Sequence, residues 1–239
     1  MSLFESFQMA LQSLRGNRMR SFLTMLGVII GIAAVITMVS MGEGTKEYIV
    51  SQIQGFGMGS TTIAVHPGSQ HTPSGMLGSS LTMEDTDLIL QHPKVTGATP
   101  FLVQAGDVKF GGKRHETQWM MGAASSYPEL INSPVAAGRF FTDAEDVSYK
   151  KVVVLGDTVA RDLFGSFPPI GEKVKVNGTN FGVIGVMKRK GSFVGMDFDD
   201  SIILPTHTAM ALFNTDKILE VVFSVPAEKD IYQTVRDVE

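Results

Sequence analysis

The sequence has no cysteine among its 239 residues. Disulfides, thiolate nucleophiles and cysteine-ligated zinc are all excluded on that ground. Charge is absent altogether from residues 22–41, Phe22-Leu-Thr-Met-Leu-Gly-Val-Ile-Ile-Gly-Ile-Ala-Ala-Val-Ile-Thr-Met-Val-Ser-Met41. As a helix such a run reaches about 30 Å, the thickness of a bilayer's hydrocarbon core. Clustered positive charge is also scarce. Of 20 basic and 24 acidic residues, only Arg15, Arg18, Arg20 and Glu5 precede the run, which leaves 17 basic and 23 acidic beyond it. A mildly acidic remainder gives no support for nucleic-acid binding.

Signatures of chemistry are missing as well. Gly42-Glu-Gly-Thr-Lys46 lacks the spacing of a phosphate-binding loop and follows an apolar run rather than a strand. Gly55-Phe-Gly-Met-Gly59 misses the dinucleotide pattern, and both segments read as hinges. His66, His71, His92, His115 and His207 show neither i,i+4 nor His-x-His pairing, so no metal site is expected. No nucleophile elbow is present. Asn177-Gly-Thr179 has the form of a glycosylation sequon but reads as a tight turn. The chain is therefore expected to be no enzyme and to hold no cofactor.

What is present begins at the flanks of the apolar run. Arg15, Arg18 and Arg20 crowd its amino-terminal side, whereas Glu43 and Glu47 with a single Lys46 follow it. Excess Lys and Arg stays cytoplasmic, which places residues 1–20 inside and residues 43 onward outside the cell. Ser40-Met41-Gly42 offers small residues suited to a signal peptidase. A cleaved signal, however, has an apolar core of about 7–15 residues, shorter than this one. Twenty uncharged residues also exceed what the core helix of a soluble protein takes, so the run reads as an uncleaved membrane helix in the lipid bilayer. Leu3, Phe7, Leu11 and Leu14 recur at helical spacing and put an apolar stripe on residues 3–14. Such a stripe suits an interfacial helix on the cytoplasmic leaflet and equally a helix docked on a partner protein.

Residues 43–54 stay compatible with helix, which gives a continuous helix over 22–54, about 50 Å long, ending at Gly55. Gly42 and Gly44 lie inside it, and each costs about 1 kcal/mol there, so they are the expected hinge of this stalk. Strands are expected over 61–66, 95–122 around a Gly111-Gly112 turn, 151–155, 173–187 around Asn177-Gly178, 201–205 and 219–225. Helices are expected over 82–92, 157–164 and 206–213, with 68–80 a loop by composition. Strands and short helices interleave, mostly through hairpins, so the class is α+β. The reading is one N-terminal transmembrane helix with a helical stalk, then a mixed α/β extracytoplasmic domain of two subdomains. Its segments are 1–20 (interfacial), 21–42 (membrane) and 43–239 (outer). Residues 230–239 look like the start of a helix without an end, as if the native chain continued.

Several stretches in this order resemble one family, the MacB-type permease subunits of ABC transporters with their MacB-like periplasmic core domain. They are residues 10–35, Met41-Gly-Glu-Gly44, Ala137-Gly-Arg-Phe-Phe-Thr142, residues 153–165, Pro169-Ile-Gly-Glu-Lys-Val-Lys-Val-Asn-Gly178 and Phe181-Gly-Val-Ile-Gly-Val186. The resemblance implies a permease of four membrane helices in the bacterial cytoplasmic membrane, with the outer domain between the first two. It also implies a second permease copy, an ATPase that is separate or fused, and a periplasmic adaptor protein. The first of those helices and most of the outer domain correspond to this chain.

Two candidate sites follow. Gly27-Val-Ile-Ile-Gly31, extended by Ala34, puts small residues on one side of the membrane helix, where close backbone packing drives association in lipid. In the second, Lys188, Arg189 and Lys190 lead into a glycine-containing bend expected to expose Phe193, Val194 and Phe198, and Asp197, Asp199 and Asp200 complete it. That polarised loop reads either as a solvated hairpin or as a contact surface for another subunit. The function read from these features is a permease that passes ATP-driven motion of a partner to an extracytoplasmic domain. The alternative is a single-span, membrane-anchored binding or sensory module.

Overall fold

The structure, a computed structural model, describes residues 18–55, 61–67, 80–193 and 196–226, with Met9, Gly16 and Thr234 as single positions. The stripe expected over 3–14, the loop 68–79 and the helix start at 230–239 lie outside the described residues, apart from Met9 and Thr234. The chain divides into two compact units, Met1–Ser51 and Gln52–Glu239.

The first unit is built on helix α1, Arg18–Gly55, 38 residues without a break. At 1.5 Å per residue it is about 57 Å long. Its apolar side chains are exposed all round, including Leu23, Val28, Ile32, Ile36 and Val39. A helix with apolar residues on every side needs burial in a core or in lipid. Its three threonine hydroxyls within residues 22–45 are satisfied by the helix itself. Thr24, Thr37 and Thr45 donate to the carbonyls of Arg20, Ala33 and Met41 at 3.0, 2.8 and 2.8 Å. No side-chain hydroxyl at these positions needs water.

The second unit is a mixed α+β domain. Its strands are β1 (Thr62–Val65), β2 (Gly97–Phe110), β3 (Lys113–Ala123), β4 (Val135–Gly138), β5 (Val152–Leu155), β6 (Lys173–Val176), β7 (Thr179–Met187), β8 (Ser192–Phe193), β9 (Met196–Asp197), β10 (Ser201–Pro205) and β11 (Glu220–Ser224). The helices are α2 (Met83–Leu90), α3 (Tyr127–Leu130), α4 (Asp143–Val147), α5 (Asp157–Phe164) and α6 (Thr206–Phe213). Nine strands form one sheet in the order β1-β11-β2-β3-β10-β5-β7-β4, with β6 pairing both β2 and β7, and β8 pairs β9 separately. Hairpins link β2 to β3 and β6 to β7, as their Gly-Gly and Asn-Gly turns dictate. The other neighbours are non-local. β10 runs parallel to β3, and β5 runs parallel to β7. Alternation identifies which residues face the core but not which strand lies beside which, so the mostly hairpin arrangement expected from sequence is replaced by a mixed sheet.

Packing follows the two-residue period of the strands. Val153 and Leu155 join Val159, Leu163 and Phe164 of α5 in one cluster. Val152 and Val154 point the other way, into a cluster with Phe101, Tyr127 and Phe141. β5 is buried on both faces, which is why it reads as an unbroken apolar run. A third cluster gathers Ile89 of α2 with Ala98, Leu102, Val221 and Phe223. One long strand, β2, contributes to all three clusters through Val108, Phe101 and Leu102. The sheet is thus continuous across the part expected to form two subdomains.

The segment Ala137–Thr142 shows how the sheet edge is fixed. Gly138 has φ +76°, and a Cβ there would lie 2.2 Å from the Ile184 carbonyl oxygen. Glycine alone permits that conformation with so close an approach of β4 to β7. The next residue, Arg139, grips Glu145 with two bonds of 2.7 and 2.8 Å, and Lys150 adds a third at 2.7 Å. Glu145 also accepts from the Thr142 amide at 3.2 Å, while the Thr142 hydroxyl accepts from the Glu145 amide at 3.3 Å. This capping box starts α4.

The Arg139 hydrogen bonds hold the Glu145 carboxyl well below its usual range; burial opposes them, and Lys150 and Thr142 add to the lowering. A lowered folded-state value contributes stability above the unfolded-state value, lost as pH falls through and below it. Glu145→Gln is expected to cost about 2 kcal/mol at neutral pH, a typical cost for losing charge-assisted bonds. Urea melts across pH should show the difference shrinking below about pH 4.5. An undiminished difference at pH 3 would refute this role for the carboxylate.

Candidate functional site

The small face of α1 is open. A Cβ added at Gly27 or Gly31 would meet nothing within 4 Å. The structure places Gly27, Gly31 and Ala34 on a continuous, exposed stretch of helix, so a second helix could approach the backbone there. The helix also passes through Gly42 and Gly44 unbroken, again with open space beside each.

The loop after β7 is organised by Asp199, which is 4% exposed. Its carboxylate accepts from the amides of Lys190 at 2.7 Å and Gly191 at 2.8 Å, and the Arg189 guanidinium stands 3.8 Å away. Asp197 accepts from the Asp199 amide at 2.9 Å and from the Thr158 hydroxyl of α5 at 3.2 Å. Asp200 accepts from His115 at 2.6 Å, and the Thr117 hydroxyl donates to its carbonyl at 2.6 Å. The three acids therefore knot the loop's base to α5 and β3 instead of facing solvent.

The bases divide. Lys188 and Arg189 are exposed. Lys190 is half-buried, and its ammonium donates to the Ile131 carbonyl at 2.7 Å. Burial lowers its pKa to about 8, with Asp199 opposing the shift. Phe198 is half-buried, whereas sequence alone suggests an exposed ring; its carbonyl accepts from the Ser201 hydroxyl at 2.8 Å. The side chain of Phe193 and the whole of Val194 lie outside the described residues. The candidate loop thus presents Lys188 and Arg189 on a fixed base. The small face of α1 and this loop belong to different units, and each is described by itself.

The histidines serve local contacts. His115 lies between Asp200 and Asp162, His207 beside Asp146, and His66 beside Glu220. Among the described residues, no group of three His, Cys, Asp or Glu side chains is placed to hold a metal ion. The anchoring roles of Asp199 and Glu145 were not foreseen from sequence. The signal available for Glu145 was the Thr142-x-x-Glu145 spacing of a capping box. Asp199 offers none, because its partners are backbone amides.

Residues 21–239 match the MacB-like periplasmic core domain family. The macrolide export ATP-binding/permease protein MacB of Wolinella succinogenes is 34% identical over 209 residues, which are 87% of this chain and 32% of that protein. The pyoverdine export ATP-binding/permease protein PvdT of Pseudomonas aeruginosa is 32% identical over 99% of this chain and 35% of its own length. The chain spans about a third of the length of the curated relatives it matches. The crystal structure of the periplasmic region of MacB from Actinobacillus actinomycetemcomitans superimposes with a TM-score of 0.64. It covers 78% of this chain and 83% of its own, at 17% identity, and so shares the fold. With the family match running over the whole sheet and most of α1, the chain belongs to the MacB-like periplasmic core domain family.

Proposed function

We propose that this chain is a permease component of an ABC exporter and works as a mechanical transmitter. The observation that carries this reading is α1, an unbroken helix of 38 residues whose exposed middle holds no charge over 22–41. In the proposed arrangement α1 crosses the bacterial cytoplasmic membrane at 21–42, with residues 1–20 on the cytoplasmic leaflet and residues 43–239 outside. ATP is hydrolysed by a partner ATPase subunit or domain, since no nucleotide motif stands in this sequence. Displacement of α1 is carried outward along the same helix, and its least stable turns, around Gly42 and Gly44, bend first. Curated relatives are named for macrolide and pyoverdine export, which supports export of an organic compound. The Gly27, Gly31 and Ala34 face packs on a helix of a second permease copy or of the same permease. Lys188, Arg189, Lys190, Phe193 and Phe198 form the surface for a further partner, a periplasmic adaptor among the candidates.

Open space at Gly27 and Gly31 makes one experiment decisive. Gly27→Leu with Gly31→Leu leaves this chain's own fold intact, so a fall in export in the complete transporter reports loss of packing with another helix. The expected fall is about tenfold, equivalent to roughly 1.4 kcal/mol of association. Normal export from a normally assembled variant would sink the packing role. Sidedness is separately testable, because the absence of cysteine removes any background. In intact cells, Gln118→Cys should react with a membrane-impermeant maleimide, and Ser13→Cys should react only after the cells are opened. The reverse pattern would invert the proposed orientation.

A further inference from the structure

The outer sheet carries a row of like charges that neither the proposed export role nor the 188–200 loop uses. Lys109 of β2 lies directly opposite Arg114 of β3 on one side and Lys175 of β6 on the other. Lys173, two residues before Lys175, extends the row along β6. All four side chains are exposed, while Val108, Val174 and Val176 between them are fully buried on the opposite face. Like charges directly opposite one another destabilise a sheet. Compensation within the chain is partial. Asp107 lies 3.1 Å from the Lys109 ammonium and 3.4 Å from Arg114, and Glu116 lies 2.9 Å from Arg114. Lys173 and Lys175 have no carboxylate partner among the described residues. The platform beneath is held firm by Asn177, whose side-chain oxygen accepts from the Asp107 amide at 3.0 Å and whose own amide donates to the Asp107 carbonyl at 3.0 Å. The cations therefore stand on a fixed sheet.

We infer that the row Arg114–Lys109–Lys175, with Lys173, is a docking strip for an acidic helix of a partner protein. Neighbouring strands lie about 4.8 Å apart, so the row presents cations at nearly that repeat across the sheet. Helix positions three and four apart bring carboxylates about 5–6 Å from one another, a spacing that long Lys and Arg side chains can match. A bilayer is a poorer fit. The side chains interleaved with the cations are Asp107, Glu116 and Asn180, which offer no apolar surface to insert and two charges that repel anionic lipid. The same two acids favour a protein partner of mixed charge, where like-charge contacts reject wrong registers.

The test uses the purified full chain in detergent at low salt, a lysine-striped helical peptide, and two glutamate-bearing helical peptides of equal composition. One carries glutamates at i, i+4 and i+8, and the other has them spread round the helix. The striped peptide should bind about tenfold more tightly than its isomer, and Lys109→Gln with Lys175→Gln should remove that preference. Removing the same charge elsewhere, by Lys151→Gln with Lys217→Gln, should leave it unchanged. As a second variant, Lys109→Glu with Lys175→Glu should reverse the preference toward a lysine-striped peptide. Equal binding of both glutamate peptides would overturn the inference. So would insensitivity to Lys109 and Lys175, or binding confined to vesicles of phosphatidylcholine and phosphatidylglycerol.

Discussion

Strand β2 is the element on which the α+β domain depends. Its backbone pairs with β11 at its start, with β3 along its length and with β6 at its end. Its register with β3 shifts between Gln104 and Gly106, where two residues of β3, Gln118 and Trp119, stand opposite Ala105 alone. A bulge of this kind bends a strand and increases its local twist. A Cβ at Gly106 would lie 2.1 Å from the Met120 side chain and 2.6 Å from the Asn177 side-chain oxygen. The missing side chain lets β3 and the β6–β7 turn close on the bend, and the three apolar clusters meet on the strand that results.

Polar groups finish what the apolar core begins. Glu145 joins Arg139, Lys150 and the start of α4, and Asp146 of the same helix accepts from the His207 amide at 2.8 Å to tie α4 to α6. Asp199 does the same for the loop leading into β10. Each of these carboxylates is buried, and each is matched by charged or backbone donors, the condition under which a buried charge is tolerated. The loop bases then differ in setting. Lys190 supports the fold through the Ile131 carbonyl, while Lys188 and Arg189 are exposed.

Much of the fold could be read in advance. The hairpin turns at Gly111-Gly112 and Asn177-Gly178, the capped start of α2 at Thr82 and the buried strand β5 all appear where local chemistry put them. Strand β4 and helices α3 and α4 are too short for periodicity to reveal. Of the candidate sites, the small face of α1 was legible because a helix fixes which residues share a side. The 188–200 loop was legible only as composition, and its three acids turn inward for reasons of tertiary contact.

The sequence by itself determined the long apolar helix and the α+β class, since each depends on composition or on short periodic spacing. Its quoted segments also pointed to the family. Only the tertiary structure decided the strand order, the parallel pairings of β10 with β3 and of β5 with β7, the inward use of Asp199, and the alignment of Arg114, Lys109 and Lys175. These features join residues well over a hundred positions apart, as where Thr62 pairs with Ser224. A local pattern records which way a side chain faces, and the neighbour it meets there is set by how the whole sheet closes.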